Sequence, residues 1–297
     1  MTSCDEMAAQ DVTPEDLRPL LFSLAYRLVG GVGEAEDLVQ ESFLRLHRSP
    51  EPVEAPKAFL TKVVTRLAID HLRSARVRRE AYVGPWLPEP LLGDDSADPA
   101  ARAEMADSLS LAFLVLLEQL SPLERAAFLL REVFGYSYEQ VAETVGRSQD
   151  SCRQLVARAR RHLDAGRPRY EVSARRHEEL TDRFLEACLT GDVDGLAELL
   201  AADVELVTDG GGRVRAVRKP VVGRDKVGRV LITIMQPDRR AGVAAIRPVR
   251  VNGRPGRLAV GPDGTPVGVL ELDVAEGLVR AIRLVVNPEK LAHLAPR

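Results

Sequence analysis

YSYEQVAETVGRSQDSCRQLVARARRHL, running from Tyr136 to Leu163, reads as two short helices joined by a tight turn, the second studded with arginine. Ser137 followed by Gln140 is a capping-box start, in which each side chain closes on the other's backbone N–H. Val141, Ala142 and Val145 give the first helix an apolar face, and Gly146 stops it. Ser148 opens the second helix, with Asp150 in its first turn, where negative charge suits the helix dipole. Cys152, Leu155, Val156, Ala159 and Leu163 recur at helical spacing as one stripe, and Arg153, Gln154, Arg158, Arg160 and Arg161 fall on the other side. A recognition helix needs that division: one face docked on its own domain, the other free for bases and phosphates. A surface helix with solvated arginines is the bland alternative. The capped helix and short turn ahead of it favour helix-turn-helix DNA binding.

The rest of the chain allows this. Its 297 residues suffice for two or three units that each bury a core. The net charge of −3 does not suit a DNA binder until the charges are located. Basic residues concentrate at 57–80 and 147–176, whereas acids dominate 34–41 and much of 89–107, and a nucleic-acid footprint is a local patch. Cys4, Cys152 and Cys188 stand far apart with no metal-ligand spacing, so no disulfide framework or metal site is expected and a reducing cytoplasm fits. The acidic N-terminus lacks the apolar core of a signal peptide. No segment approaches the roughly 18 apolar residues needed to span a bilayer.

Residues 14–82 read as helices. Thr13-Pro14 starts the first, Gly30, Gly31 and Gly33 break it, a second runs from Glu34 to about His47, and a third runs from Ala58 to about Arg79. GPWLPEPLLGDDSADP, 84–99, is too rich in Pro, Gly and Asp for a long helix and reads as a linker. Helices resume at 100–120 and 123–133, and DAGRPRYEV closes this half. From Ser173 two helices precede the strand VELVTD, then come a helix near 224–235, strands near 243–251 and 257–260, and a terminal hairpin of GVLELDV and LVRAIRLVV. Helices followed by a run of strands predict an α+β domain with a curved sheet.

Two helix faces carry charge worth explaining. Glu34, Asp37, Leu38, Glu41 and Arg45 share a face of the second helix opposite Val39, Phe43 and Leu46, giving either a solvated surface or a docking face that needs a basic partner. The third helix carries Lys57, Lys62, Arg66, Arg73, Arg76, Arg78 and Arg79 against only Asp70 and Glu80, which suits a phosphate backbone. Phe59 is its sole aromatic, so it could open DNA only by capturing a flipped base, with the loop Ser49–Lys57 as a candidate pocket wall.

Taken together, GEAEDLVQESFLRLHR, AFLTKVVTRLAIDHLRSARVRRE and LSPLERAAFLLREVFGYSYEQVAETVGRSQDSCRQLVARARRHL resemble regions 2 and 4 of the sigma-70 family, and the short linker between them points to the extracytoplasmic-function group. WLPEP at Trp86–Pro90, DGGG at Asp209–Gly212 and NPEK at Asn287–Lys290 resemble marks of a subgroup with a SnoaL-like domain fused after region 4. The resemblance implies a multidomain fold: region 2 at 1–84, a linker at 85–106, a region 4 helix-turn-helix domain at 107–168, and an α+β SnoaL-like (nuclear transport factor 2-like) cone at 173–297. It also implies partners. Asp37, Leu38, Glu41 and Arg45 would dock on the β′ clamp helices of core RNA polymerase, with region 4 on the β flap. Lys62, Arg66, Arg73, Arg76, Arg78 and Arg79 would serve the promoter −10 element, and Arg153, Gln154, Arg158 and Arg161 the −35 element. Trp86, Leu87, Pro88, Glu89 and Pro90 would meet Asp209, Gly210, Gly211, Gly212, Asn287 and Pro288 in one interdomain contact. No cofactor is implied, and one sigma per polymerase implies a monomer. Where the subgroup pattern has Lys after DGGG and Asp in the last motif, this chain has Arg213 and Glu289.

The fused half leaves alternatives open. Three glycines after Asp209 suit a plain hairpin turn or a close interdomain or ligand contact. Trp86, between prolines, is expected to bury itself against a domain. Cones of this kind hold ligands in some relatives and catalyse acid/base chemistry in others. Asp209, Asp225, Asp273 and His177 are available here, but no spacing fixes two of them in one site. Protein-level regulation is the leading expectation, a small-molecule ligand in the cone the second, and catalysis a remote third. An ordinary helix-turn-helix repressor remains the alternative to a sigma factor, and it would leave the basic helix at 57–80 without a role.

Overall fold

The computed structural model describes residues 13–93, 109–164, 173–236 and 242–295, with residues 76–80 and 164 followed through the backbone alone. The chain falls into two compact units. One takes Met1–Val29, Gly33–Arg73 and Pro122–Ala157; the other takes Gly30–Val32, Ser74–Ser121 and Arg158–Arg297.

The first unit is helical. A 3₁₀ turn at Pro14–Leu17, closed by the reciprocal Thr13–Asp16 capping box, leads into α1 (Arg18–Val29). α2 (Val32–His47) and α3 (Pro56–Glu80) follow. On α2 the buried residues are Val32 and then Ala35, Leu38, Val39, Ser42 and Phe43, an i, i+3, i+4, i+7, i+8 stripe from Ala35. Leu38 therefore belongs to the buried stripe and not to the acidic surface on which it was expected, because that stripe is wider than a three-residue face. α3 buries Leu60, Val64, Ala68, Ile69 and Leu72. Later in the chain come α5 (Pro122–Phe128), one π turn at Leu129–Val133, α6 (Tyr138–Val145) and α7 (Gln149–Asp164), whose last turns belong to the second unit.

The second unit is α+β. Its described strands are β1 (Leu92–Gly93), β2 (Leu200–Asp209), β3 (Val221–Val222), β4 (Ala245–Val251), β5 (Arg254–Val260), β6 (Pro266–Ala275) and β7 (Leu278–Val285). They form one sheet in the order β1-β4-β5-β6-β7-β2-β3, antiparallel except for the β2–β7 pair. The helices α8 (Ala174–Thr190), α9 (Val193–Leu199) and α10 (Arg224–Ile234) bury Phe184, Leu196 and Leu231 against Leu206, Leu272 and Ile282. Because successive strand residues face opposite ways, Val269 and Val285 point to the other side, where they pack with Leu87, Leu111, Val251 and Leu291.

That second face is where the structure departs most from expectation. The segment read as a linker is built into the sheet. Leu92 and Gly93 pair with Val251 and Arg250 of β4. Asn252 fixes the register: its backbone N–H donates to Leu91 O at 2.8 Å, its side-chain oxygen accepts from Leu91 N at 2.9 Å, and its amide donates to Leu109 O at 2.9 Å. Leu109 leads into α4 (Leu111–Leu117), whose start shares that face. So the first helix of the segment resembling region 4 belongs to the second unit, not with the rest of its helices. Residues 100–108 of the helix expected at 100–120, and the closing segment at 165–172, lie outside the described residues.

Candidate functional site: a buried clamp on the linker

Asp209 ends β2 and is fully buried. Its Oδ1 accepts from Tyr82 Oη at 2.6 Å and from Gly211 N at 3.1 Å. Its Oδ2 accepts from Leu87 N at 2.8 Å and from Lys290 Nζ at 2.7 Å. A carboxylate offers about four lone-pair sites, and all four are taken. Lys290, on the short helix α11 (Pro288–Leu291), also donates to Leu87 O and lies over the Trp86 ring at 4.2 Å from its centroid. Asn287 caps that helix and donates to Tyr82 Oη at 3.0 Å. Burial, and then the hydrogen bond to Asp209, push the Tyr82 phenol well above its ordinary pKa. Tyr82, Trp86 and Leu87 are thus held by one ion pair.

The glycines explain themselves here. Gly211 has φ +56, and a Cβ on it would collide with the Asn287 amide; Gly212 has φ +72, with Val83 only 3.1 Å from where a Cβ would stand. The turn and the close contact, left as alternatives by the sequence, are one feature. Trp86 is half-buried, lying also on Gly30. Glu89 fastens the other end of WLPEP to the same turn, accepting from Val32 N at 2.7 Å while its own N–H donates to Gly30 O at 2.8 Å. Beside the DGGG loop, Val83, Thr208 and Val217 line a cleft of about 150 Å³, below the roughly 300–1,000 Å³ of small-molecule pockets.

Of the four candidate acid/base groups, Asp209 has no free lone pair and Asp225 is exposed. His177 and Asp273 influence each other electrostatically. Burial first, and then Arg254, hold the His177 imidazole down at about 4, with Asp273 opposing them.

In the helical unit, Ser137 and Gln140 form the reciprocal capping box, and Gly146 ends α6 in the left-handed conformation. On α7 the predicted stripe is buried, and Arg153, Gln154, Arg158 and Arg161 are exposed. Arg153 pairs with Asp150 at 2.8 Å and lies over the Tyr138 ring. The basic side of α3 is engaged with α6. Lys62 Nζ meets Glu143 Oε1 at 2.9 Å, and Arg66 donates to the carbonyls of Thr144 and Glu143 at 3.0 and 3.2 Å. Those carbonyls are at the C-terminal end of α6, where the helix dipole favours a cation. Thr61 Oγ1 and Tyr136 Oη lie 3.0 Å apart beside them. Arg73 is exposed and pairs with Asp70; the side chains of Arg76, Arg78 and Arg79 lie outside the described residues. Asp37 is exposed, Glu41 is half-buried and paired with Arg45 at 2.8 Å, and Leu38 is covered.

Residues 15–78 match the family model "Sigma-70 region 2", and residues 110–163 match "Sigma-70, region 4". The chain is 37% identical over 289 residues to the ECF RNA polymerase sigma factor SigJ of Mycobacterium tuberculosis, covering 93% of this chain and 91% of SigJ. It belongs to the extracytoplasmic-function sigma factors. The probable ECF sigma factor SigI of the same organism is 38% identical over 284 residues, 93% of each chain. The crystal structure of M. tuberculosis SigJ superposes with a TM-score of 0.76 at 36% identity, covering 94% of this chain and 96% of that one.

The sigma factor's two departures from its subgroup pattern meet each other: Arg213 Nη2 lies 2.5 Å from Glu289 Oε1, both side chains being 62% exposed. The longer arginine and the longer carboxylate are each other's partners at the rim of the clamp. At that exposure such a pair adds at most about 1 kcal/mol. Two clamp residues were not singled out by sequence. Tyr82 carries no motif, and Lys290 stood in NPEK without a role. The available signal was stoichiometric: a buried Asp beside glycines needs a cation, and Lys290 is the basic residue of the last motif.

Proposed function

We propose that this alternative sigma factor is controlled by the seating of its interdomain linker on its own C-terminal sheet, with the Asp209–Lys290 ion pair as the clamp. The observation that carries the reading is the saturation of Asp209. A buried carboxylate with four donors is built to hold, and two of its donors are Leu87 of the linker and Tyr82 just ahead of it. As an initiation factor it brings core RNA polymerase to promoters. Its acids Asp37, exposed, and Glu41, half-buried, on α2 meet the β′ clamp helices, α3 meets the −10 element and the arginine face of α7 meets the −35 element. The engagement of Lys62 and Arg66 by α6 supports a closed free state. Some 25 base pairs separate those elements, roughly 85 Å at 3.4 Å per pair, while Lys62 and Glu143 stand 2.9 Å apart. Promoter engagement therefore requires α3 and α6 to part.

The test is in vitro transcription with core polymerase, comparing the full chain with Asp209→Asn at equal folded concentration. A changed ratio of specific transcripts supports control through the clamp. Unchanged initiation across promoters would remove the clamp from control and leave it a structural fastening. Asp37→Lys serves as the companion, with loss of core affinity in a pull-down as its expected outcome.

A further inference from the structure

A second buried polar group lies under the linker arm, separate from the clamp. Glu271 sits on β6 opposite Gly256 of β5 and Arg283 of β7, and is 1% exposed. Neither of its carboxylate oxygens has a hydrogen-bond partner. Asp273, two residues along on the same face, draws the neighbouring cations instead: Arg283 Nη2 is 3.8 Å from Asp273 Oδ2, and Arg254 Nη1 is 3.9 Å from Asp273 Oδ1. Those separations exceed hydrogen-bond reach. From the covering arm the backbone N–H of Leu111, the first residue of α4, points toward Glu271 and favours its charged form, although it falls short of hydrogen-bond geometry. Leu111 and Leu87 roof this face of the sheet. A buried carboxylate left without donors is costly when charged and much less so when neutral.

We propose that the seating of the linker and α4 on the sheet is a proton-linked latch, with Glu271 as its titrating group. Burial raises the Glu271 carboxyl from 4.5 to about 7, with Arg283 and Arg254 opposing the rise and Asp273 adding to it. His177 of α8 also feels the charges of Arg254, Asp273 and Arg250; held down at about 4, it is neutral over the range in which Glu271 titrates. The sign follows from linkage. The seated arm binds the proton more tightly than the released arm, so seating is strongest below the ordinary carboxyl value and is lost as pH rises to about 7. Near neutrality the latch is poised. Acidification seats the arm and alkalinisation loosens it. The consequence for transcription rests on the reading of the arm as the control element; the experiment below reads the arm itself, so either idea can fail alone.

The measurement is hydrogen exchange of the full chain between pH 5 and 8, expressed as protection factors for the backbone amides of Leu87, Leu92 and the α4 segment. Protection should fall with rising pH by at least tenfold, the ceiling being roughly 300-fold for a carboxyl moved from 4.5 to about 7. Glu271→Gln, a neutral isostere, should abolish the slope and keep the arm seated at pH 8. Three results would overturn the latch: a flat wild-type profile, an unchanged slope in the variant, or an arm loosened at every pH by Gln, which would mean that the ionised carboxylate holds the arm through its arginines. A carbon-detected NMR titration of the Glu271 carboxyl in the wild type decides the matter without any variant, since a midpoint near 4.5 excludes the latch.

Discussion

Asp209 and Lys290 show how few atoms hold the linker. Replacing Asp209 by Asn keeps the shape but strands the Lys290 ammonium beside a neutral amide, and removing one partner of a buried pair costs about 3–5 kcal/mol. We expect Asp209→Asn to lower the urea midpoint accordingly, whereas Tyr82→Phe, which removes one hydroxyl bonded to the charged Asp209, costs about 1.5–3 kcal/mol. Equal losses in the two variants would mean that the ion pair holds the linker no more strongly than a single hydroxyl does. At this scale the sequence was informative about Asp209, because three consecutive glycines advertise a close approach. It was silent on Tyr82, because an isolated tyrosine just ahead of a linker carries no periodicity and its partner lies 127 residues away.

Among elements, α6 and α7 could be read almost completely from their residues. Their signals are local: a capping box four residues long, a glycine stop, and a stripe at 3.6-residue spacing. β1 could not. Two residues among prolines have no strand pattern, and the pairing with β4 spans more than 150 positions. Leu38 was misplaced for a related reason, since whether a residue at the edge of a stripe is covered depends on a neighbour the helix does not encode. The element proposed to read DNA offers a direct test. Arg153→Ala should relax discrimination at one −35 position by about 1–3 kcal/mol, measured as promoter-variant ratios in transcription; preserved ratios would take Arg153 out of base readout. For the α3–α6 contact, Glu143→Ala removes the partner of Lys62 and should raise the free protein's affinity for promoter DNA at low salt, read by anisotropy. The Glu143 side chain is 73% exposed, so the gain is small and vanishes by moderate salt.

Across the whole molecule, two buried groups push against each other as pH changes. His177, held at about 4, makes the fold lose stability as pH falls from 6.5, because the unfolded chain takes up the proton first. Glu271, raised to about 7, makes it lose stability as pH rises from 4.5. Over the window they share the slopes oppose, so global stability should be nearly level between pH 4.5 and 6.5. His177→Gln removes one side of the balance. Stability at a fixed temperature should then fall steadily as pH rises through that window, by up to about 3 kcal/mol, and the thermal midpoint with it; a level profile in the variant would mean that Glu271 ionises in the folded protein as readily as in the unfolded chain.

The linker arm is held partly by Leu87, Leu111 and Leu291 against Val269 and Val285. Lifting it wets that surface, and wetting apolar surface carries a positive heat capacity. The equilibrium between seated and lifted arm is therefore curved in temperature, with the arm's hold slackening on cooling as well as on heating. If the arm is the control element, as proposed, cooling below the temperature of tightest hold is expected to shift it toward the lifted state with no partner and no ligand.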